Sequence, residues 1–397
     1  MLQYGNFTMR NRIKKAPFFL IYLVSFLYSF HYALPVYINS SFISKYVSTE
    51  QAVGIIFAVS AVFTTILTYV SPYILKSFGN YRTTLSSMML VVISLIGLSL
   101  LTNPLAVIIF FTLYQIFTNI IFIYLDILVE SFSADSQTGG IRTMFMTALN
   151  VAVAVAPLIA GLMLTDHDFW KVYVASAVVM LVGALILARN LKNYVDPNYI
   201  VSPFMKTLRE VLDKHDLRAI IFMHFLLAFF YAMMIIYTPI YLNAHLGIPM
   251  GKILGVIIPI SLIPFIIFEV FLGKIADTKL GEKELLITGF LLLAVSTGAL
   301  SYITVAGVAI WSVALFMTRV GATVVEAMTE SYFYKHVDSS EVHIITFMRT
   351  ARSAAYIVGP LVGSLFLMFF DTRFIFLALG IIMLTALPPL VRITDTR

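Results

Sequence analysis

The chain has 397 residues, of which 60% are hydrophobic and 12% charged, with a mean hydropathy of +0.95 and a net charge of +6. About a quarter of the residues in a soluble globular domain are charged, so this composition excludes such a domain and predicts a membrane protein. The absence of cysteine excludes disulfides, thiol catalysis and thiolate-bound metals.

The first apolar run follows a basic segment that contains Arg10, Arg12, Lys14 and Lys15. A signal peptide has a shorter apolar core and a small-residue cleavage site, so we interpret this run as a retained first membrane span. A span needs roughly 20 apolar residues, and the sequence contains twelve such runs. The predicted spans are 17–40, 50–76, 83–101, 104–132, 141–165, 169–190, 217–243, 250–276, 284–304, 308–334, 343–370 and 373–392.

The predicted fold class is therefore an all-α polytopic membrane protein with twelve transmembrane helices in two six-helix bundles. Residues 1–188 form the first bundle and residues 217–397 the second. A linker, 189–216, separates them, and its segment from Pro203 to Asp216 has the spacing of an amphipathic helix at the membrane surface.

The distribution of basic residues predicts the orientation of the spans. With the N-terminus in the cytoplasm, 21 of the 26 lysines and arginines fall on the cytoplasmic side. The opposite orientation would invert this bias, so both termini are predicted to be cytoplasmic.

Two segments 200 residues apart share a pattern of acids within apolar runs. In 117–132 and 317–332 the pattern D/E-x-x-x-E-S places Asp126 opposite Glu326 and Glu130 opposite Glu330. Ionisable groups inside a membrane are costly and mark function. The shared pattern indicates a duplication.

The rest of the chain repeats in the same order. The motif Pro35–Asn39 returns as Pro239–Asn243, and the small-residue stretch Ala156–Gly161 returns as Gly359–Gly363. Two six-span halves with one orientation form a parallel repeat, for which a central cavity between the halves is expected.

The loop from Gly273 to Lys283 resembles the signature of the major facilitator superfamily, G-x-x-x-D-R/K-x-G-R/K-R/K, with one extra residue before Gly281. The first-half counterpart, 72–82, keeps glycine and arginine but has Lys76 where the family has an acid. The resemblance covers essentially the whole chain. It implies the fold of that family and a secondary transporter that works by alternating access.

The second-half loop is predicted to take part in gating. Gly273 and Gly281 permit a tight turn and close helix approach, and Asp277 can bind a helix N-terminus or an arginine. The alternative is that the lysines of this loop only fix the topology.

Four charged residues of spans ten and eleven are predicted to form an ionic network near the cytoplasm. At about 1.5 Å per residue, Glu330 lies at the height of Arg349 and Glu326 at the height of Arg352. Buried charges are less costly when paired. The alternative is proton carriage by one of the glutamates. In the first half only Arg142 is near Asp126 and Glu130 in sequence, so an unpaired Asp126 is the better proton candidate.

Arg319 lies near the middle of span ten, where the first half has Asn119. There it can bind an anionic substrate with its planar donor group, or it can form an ion pair with Glu269 or Glu326. The other candidates for substrate or coupling are mid-span polar residues: His31, Gln115, Asn150 and Tyr356. Each can equally satisfy an interhelical hydrogen bond.

These observations predict a secondary active transporter of a small solute, with proton coupling left open. No phosphate-binding loop, metal-ligand spacing or catalytic triad is present in the sequence, so we expect no ATP coupling, no enzymatic activity and no cofactor. Expected partners are the solute, protons if coupled, and membrane lipids, but no nucleic acid; the protein is expected to function as a monomer in the inner or plasma membrane. The alternatives are a lipid-moving protein, an intramembrane enzyme or a non-transporting receptor on the same scaffold.

Overall fold

The computed structural model describes residues 16–132, 138–164, 168–192, 196, 204–265, 267–268, 281–337 and 342–394. Within these ranges the chain is helical and contains no strand. Nine helices of the described residues are long and apolar enough to cross a membrane, and three shorter apolar helices lie where the first, fifth and eighth spans were predicted. Every predicted span therefore contains a helix, and the prediction of an all-α polytopic membrane protein is confirmed.

The helices of the first half carry the labels α1 to α7. They are α1 Ala16–Ala33, α2 Asn39–Ile43, α3 Glu50–Phe78, α4 Asn80–Leu100, α5 Pro104–Phe132, α6 Thr138–Met163 and α7 Trp170–Asn190. The linker contains α8 Phe204–Asp213, close to the predicted amphipathic segment.

The helices of the second half carry the labels α9 to α15. They are α9 His215–Ile240, α10 Met250–Phe265, α11 Glu282–Ala299, α12 Val308–His336, α13 Val342–Leu367, α14 Ile375–Leu384 and α15 Leu387–Arg392. A π-helical turn, Tyr241–His245, extends α9, and another, Ile253–Ile257, lies within α10.

The duplication is visible in the helix lengths. Helices α5 and α12 both have 29 residues, and α6 and α13 both have 26. The first residues of each pair are 204 positions apart, four more than the offset of the acidic pattern. The helix starts, with an offset of 204, therefore align Asp126 with Glu330 in height, whereas the sequence pattern, with an offset of 200, aligns Asp126 with Glu326. The difference of four residues is about one helical turn.

The first predicted span is wrong at its end. The prediction continued the helix to residue 40, but α1 ends at Ala33 and residues 34–38 form turns. Pro35 explains the break, because proline disfavours helical conformation in the preceding residue and has no N–H to donate.

Large apolar side chains cover the outside of the bundle. Phe63, Leu162, Leu185 and Val313 are all more than half exposed. Backbone groups satisfied within helices and an apolar outer surface are what a lipid environment requires.

The two halves meet along two helix pairs. Helix α3 of the first half packs along α13 of the second, and α6 packs against α10. The polar residues that join the two halves lie along this interface.

Candidate functional site

The interface between the halves has two ends, named here by residues that lie there. The Glu50 end contains the start of α3, the end of α13 and the residues that follow α9. The Arg349 end contains the last turns of α5 and the first turns of α13.

The Glu50 end is joined by hydrogen bonds between the halves. The Glu50 carboxylate accepts from His245 Nε2 at 2.6 Å and from the Thr372 hydroxyl at 2.5 Å. Gln51 Nε2 donates to the Leu367 carbonyl at 2.7 Å, and the Ser364 hydroxyl donates to the Gln51 carbonyl at 2.9 Å. These contacts hold α3 against the second half.

Glycines bring the backbones together at the same end. A Cβ atom on Gly161 of α6 would lie 2.4 Å from the backbone nitrogen of Gly255 in α10. A Cβ atom on Gly54 of α3 would lie 2.1 Å from the Ser364 hydroxyl and 2.8 Å from the Pro360 carbonyl. No larger residue fits these crossings without a shift, so the Glu50 end is closed by direct helix contact.

Arg352 occupies the middle of the interface. It is the eleventh of the 26 residues of α13. Its guanidinium interacts electrostatically with the Tyr32 hydroxyl of the first half and with Tyr356 and Glu326 of the second. The side chain is exposed to solvent although it lies within the bundle. It is therefore a cation that a solute between the halves can reach.

Glu326 faces the same region from α12. Its carboxylate accepts a hydrogen bond of 2.7 Å from the Tyr231 hydroxyl of α9, and its side chain is solvent-exposed. The interaction with Arg352 agrees with the prediction that these two residues share a height. Together Arg352, Glu326, Tyr231, Tyr32 and Tyr356 form what we call the central cluster.

Arg319 lies beside this cluster but is not accessible. It is only 4% exposed, and its guanidinium carbon lies 5.3 Å from the centre of the Phe230 ring and 5.6 Å from that of Tyr231. Among the described residues its Nε has no hydrogen-bond partner. Cation–π contacts and burial thus position this arginine, while Arg352 is the arginine open to a solute.

Asp126, which was predicted from the sequence to be unpaired, has a partner. Asp126 accepts a hydrogen bond from Arg349 Nη1 at 3.1 Å, across the two halves. The prediction that Asp126 lacks a partner is wrong, and the salt bridge found for Arg349 goes to Asp126 rather than to the predicted Glu330. The sequence could not show this because the two residues are 223 positions apart and lie in different halves.

The end of the second-half loop contains a buried acid that the sequence reasoning missed. Gly281 is buried and precedes Glu282, the first residue of α11, which is only 1% exposed. The Glu282 carboxylate binds Lys335 Nζ at 2.5 Å and accepts from the Ser331 hydroxyl at 2.9 Å. It ties α11 to α12 at the Arg349 end.

An acid of the linker, Asp196, binds at the first-half loop, residues 72–82. Asp196 accepts a hydrogen bond of 2.7 Å from the backbone nitrogen of Asn80, at the start of α4. Gly79 has φ of +78°, and a Cβ atom there would lie 2.5 Å from Asp196 Oδ2. A carboxylate at a helix N-terminus is favourable. Asp196 thus supplies an acid near the loop in which Lys76 replaces the family's acid.

The polar candidates His31 and Asn119 of the first half form their hydrogen bonds within that half. His31 is fully buried, and its Nδ1 donates to the Tyr28 carbonyl of its own helix; its ring meets that of Tyr114 edge-on. Asn119 donates to the Gln115 carbonyl one turn earlier. We therefore interpret these residues as structural in this conformation.

Several predicted residues fall outside the described part of the chain. These are Glu269, Gly273 and Asp277, together with the side chains of Glu130, Arg142 and Asn150. Their roles stay predictions.

Further residues of the interface were not predicted, some of them with a signal in the sequence and some without. Gly251 and Gly255 form a small-xxx-small pattern, which favours close helix packing, and both lie against α6. Glu50 follows Thr49, whose hydroxyl caps α3, but nothing in the local sequence indicates its bonds to the second half.

Two repeated helical halves, an apolar outer surface and a polar cluster between the halves define a polytopic membrane protein with an internal site. The family model described as Major Facilitator Superfamily matches residues 19–346 and 254–397. The chain belongs to the major facilitator superfamily.

Solved structures show the same fold. A bacterial homolog of the human lysosomal transporter Spinster, crystallised inward-facing and unoccupied, superimposes with a TM-score of 0.74 at 10% identity, covering 94% of this chain and 95% of the other. The nucleoside transporter NupG gives 0.72 at 12% identity, with coverage of 94% and 98%. A POT family transporter in complex with 5-aminolevulinic acid gives 0.77 at 12% identity, with coverage of 95% and 96%.

No curated protein sequence matches the chain significantly. Family membership and fold together identify a multi-pass membrane transporter.

Proposed function

We propose that the protein is a secondary transporter that moves a small solute with an anionic group by alternating access. The observation that carries this proposal is Arg352, a solvent-accessible arginine in the middle of the interface that interacts with both halves. A guanidinium binds carboxylates and phosphates through paired hydrogen bonds, so an anionic group is the natural ligand of this position.

The central cluster also contains a negative charge. Glu326 lies beside Arg352 and is hydrogen-bonded to Tyr231. A solute with both an anionic and a cationic group can contact the two residues at once, which favours amino acids, small peptides and related zwitterions over uncharged solutes. The tyrosines supply hydroxyl groups and apolar surface on either side.

The conformation fits one step of an alternating-access cycle. With cytoplasmic termini, as the basic residues favour, the closed Glu50 end faces outward and the Arg349 end faces the cytoplasm. Water then reaches Arg352 and Glu326 from the cytoplasmic side, and the protein is in an inward-facing state. Two halves that rock around a fixed central site are the expected mechanism for such a repeat.

Proton coupling is proposed at Asp126 or Glu326. Protonation of Asp126 would release Arg349, and protonation of Glu326 would change the charge beside Arg352. Either event links a proton to the interface between the halves. No covalent chemistry is needed for this cycle, and a single chain in the plasma or inner membrane contains every residue used in it.

Flux into liposomes that contain the purified protein tests the proposal. Radiolabelled 5-aminolevulinic acid, alanyl-alanine and uridine are supplied with and without a pH gradient. We expect uptake of at least one of the two zwitterions and less of uridine, with loss of uptake in Arg352→Gln. The matched control is Arg373→Gln, which removes an arginine from the surface of the Glu50 end.

The outcomes separate the proposal from its alternatives. Binding of a solute without flux would indicate a receptor, and movement of a labelled phospholipid between leaflets without solute flux would indicate a lipid-moving protein. Equal zwitterion uptake by wild type and Arg352→Gln would contradict the assigned site.

A further inference from the structure

A cavity separate from the central cluster lies at the Arg349 end of the second half. It has a volume of about 370 Å³ and is lined by residues from the start of α9 and from the last helix. The lining residues are His215, Arg218, Ala219, Phe222, Pro388, Pro389 and Arg392. The lining surface is almost entirely apolar, so the two arginines contribute mostly the aliphatic parts of their side chains to it.

The charges of Arg218 and Arg392, both exposed, are not balanced by neighbouring carboxylates in the described part of the chain. Among the described residues no carboxylate forms an ion pair with Arg218 or Arg392, and Arg218 Nη1 donates only to the Leu212 carbonyl at 3.2 Å. Asp216, two residues before Arg218, is occupied: it accepts from the Thr394 hydroxyl at 2.6 Å and from His215 Nδ1 at 3.1 Å. The two exposed arginines can therefore bind an anionic group beside this apolar cavity.

The position of the cavity indicates which kind of anion. It lies where two membrane helices, α9 and the last helix, reach the membrane surface. Beside it, α8 packs on α9 and α13 and exposes Met205 and Leu212 together with charged residues, as a helix in the interfacial layer does. A cavity at this depth faces lipid headgroups rather than open water.

We propose that this cavity binds an anionic phospholipid of the leaflet at the Arg349 end. The lipid phosphate lies between Arg218 and Arg392, and the start of its acyl chains packs on Phe222 and Pro388. Basic pockets between membrane helices on the cytoplasmic side bind anionic headgroups through this combination of charge and apolar contact. The site does not depend on transport, and only the name of the leaflet rests on the proposed orientation.

The duplicated fold supplies a matched control. Arg392 ends the last membrane helix, and Arg189, 203 positions earlier, lies in the last turn of α7, the sixth membrane helix. Arg189 is also exposed but does not line this cavity. Arg189→Gln removes the same charge from the equivalent place in the first half.

Native mass spectrometry of the purified protein tests the proposal with phosphatidylglycerol and phosphatidylcholine of identical chains, each added in equal amounts. We expect wild type and Arg189→Gln to retain phosphatidylglycerol preferentially, and the double variant Arg218→Gln/Arg392→Gln to retain at least about fivefold less, as expected when charge-assisted hydrogen bonds are lost. Phosphatidylcholine retention should be the same in all three proteins.

Thermal unfolding distinguishes binding of a lipid from binding of free phosphate, and it also shows whether the variants are folded. Phosphatidylglycerol should raise the Tm of wild type by a few degrees more than that of the double variant, and inorganic phosphate should raise neither. Equal retention of phosphatidylglycerol by wild type and double variant overturns the proposal. A stabilisation by inorganic phosphate equal to that by phosphatidylglycerol also overturns it, in favour of a soluble anion. A double variant that unfolds before lipid is added is replaced by the single variants, to which the same outcomes apply.

Discussion

Asp126 of α5 and Arg349 of α13 form a salt bridge of 3.1 Å that joins the two halves at the Arg349 end. The side chains are 21% and 39% exposed, so water screens the pair, and such pairs contribute roughly 0.2–1 kcal/mol. A contribution of that size changes an equilibrium by about fivefold at most. The pair is thus a weak latch that the cycle can release.

Neutralising Asp126 should make the described conformation, in which the pair forms, less populated. Asp126→Asn removes the attraction to Arg349, so the equilibrium should shift away from the described conformation by up to about fivefold. The chain has no cysteine, so spin labels can be attached only at the introduced cysteines, Lys76→Cys in the first half and Val391→Cys in the second. Double electron–electron resonance spectroscopy then measures the distance between the halves.

Two further variants make that measurement specific. The charge swap Asp126→Arg/Arg349→Asp should restore the wild-type distance distribution. Lys171→Gln breaks a surface pair with Asp168 inside the first half and should leave the distance distribution between the halves unchanged. A swap that behaves like the single variants would show that the pair is not a latch.

Arg352 and Arg319 should respond differently to the same substitution. Arg352→Gln should weaken binding of the transported solute by about 10- to 100-fold, since a charge-assisted hydrogen bond contributes about 1.5–3 kcal/mol. Arg319→Gln should mainly lower the Tm, because the side chain is 4% exposed and contacts aromatic rings. Binding titration and thermal unfolding of both variants check this, and a larger affinity loss in Arg319→Gln would reverse the assignment.

Enlarging Gly161 should prevent closure of the Glu50 end. The side chain of Gly161→Val cannot fit against the Gly255 backbone, 2.4 Å from where its Cβ would lie, so α6 and α10 must separate. We expect increased labelling of a single cysteine at Ser364 from the Glu50 side. Gly298→Ala is the control, because its new Cβ would meet only Leu377 at an ordinary 3.6 Å. Unchanged labelling in Gly161→Val would disprove the role of this crossing.

Glu282 and Lys335 should couple in stability. Lys335→Gln leaves a carboxylate that is 1% exposed without its cation and should destabilise the protein by roughly 1–3 kcal/mol, less than for a fully buried pair because Lys335 is 40% exposed. Glu282→Gln/Lys335→Gln should lose less stability than the two single changes added together. Thermal unfolding of the double-mutant cycle measures this, and simple additivity would show that the pair does not interact.

Hydropathy and repeated motifs were sufficient to predict the helices and the duplication. A lipid environment requires long apolar helices, so the predicted spans agree with the described helices within a few residues, except where Pro35 ends α1; the end of the eighth predicted span lies outside the described residues. Helix rise also placed Glu326 level with Arg352, since height along a helix depends only on residue count.

Contacts between the halves could not be predicted in this way. The partner of Asp126 and the bonds of Glu50 depend on how the halves face one another, which no local spacing encodes. For the same reason the sequence could not predict that Arg319, a charge in the middle of a span, is buried and that Arg352 is accessible. Asp196 shows a further limit: the linker carries an acid near the first-half loop, where motif comparison finds only Lys76.

The accessibility of the central cluster from each side of the membrane tests alternating access most directly. A single cysteine at Tyr356, in otherwise cysteine-free protein, is exposed to a membrane-impermeant maleimide in inside-out and in right-side-out vesicles. A closed Glu50 end predicts labelling at least about tenfold faster from the cytoplasmic side in the absence of solute. Faster labelling from the outer side would contradict both the orientation and the inward-facing state.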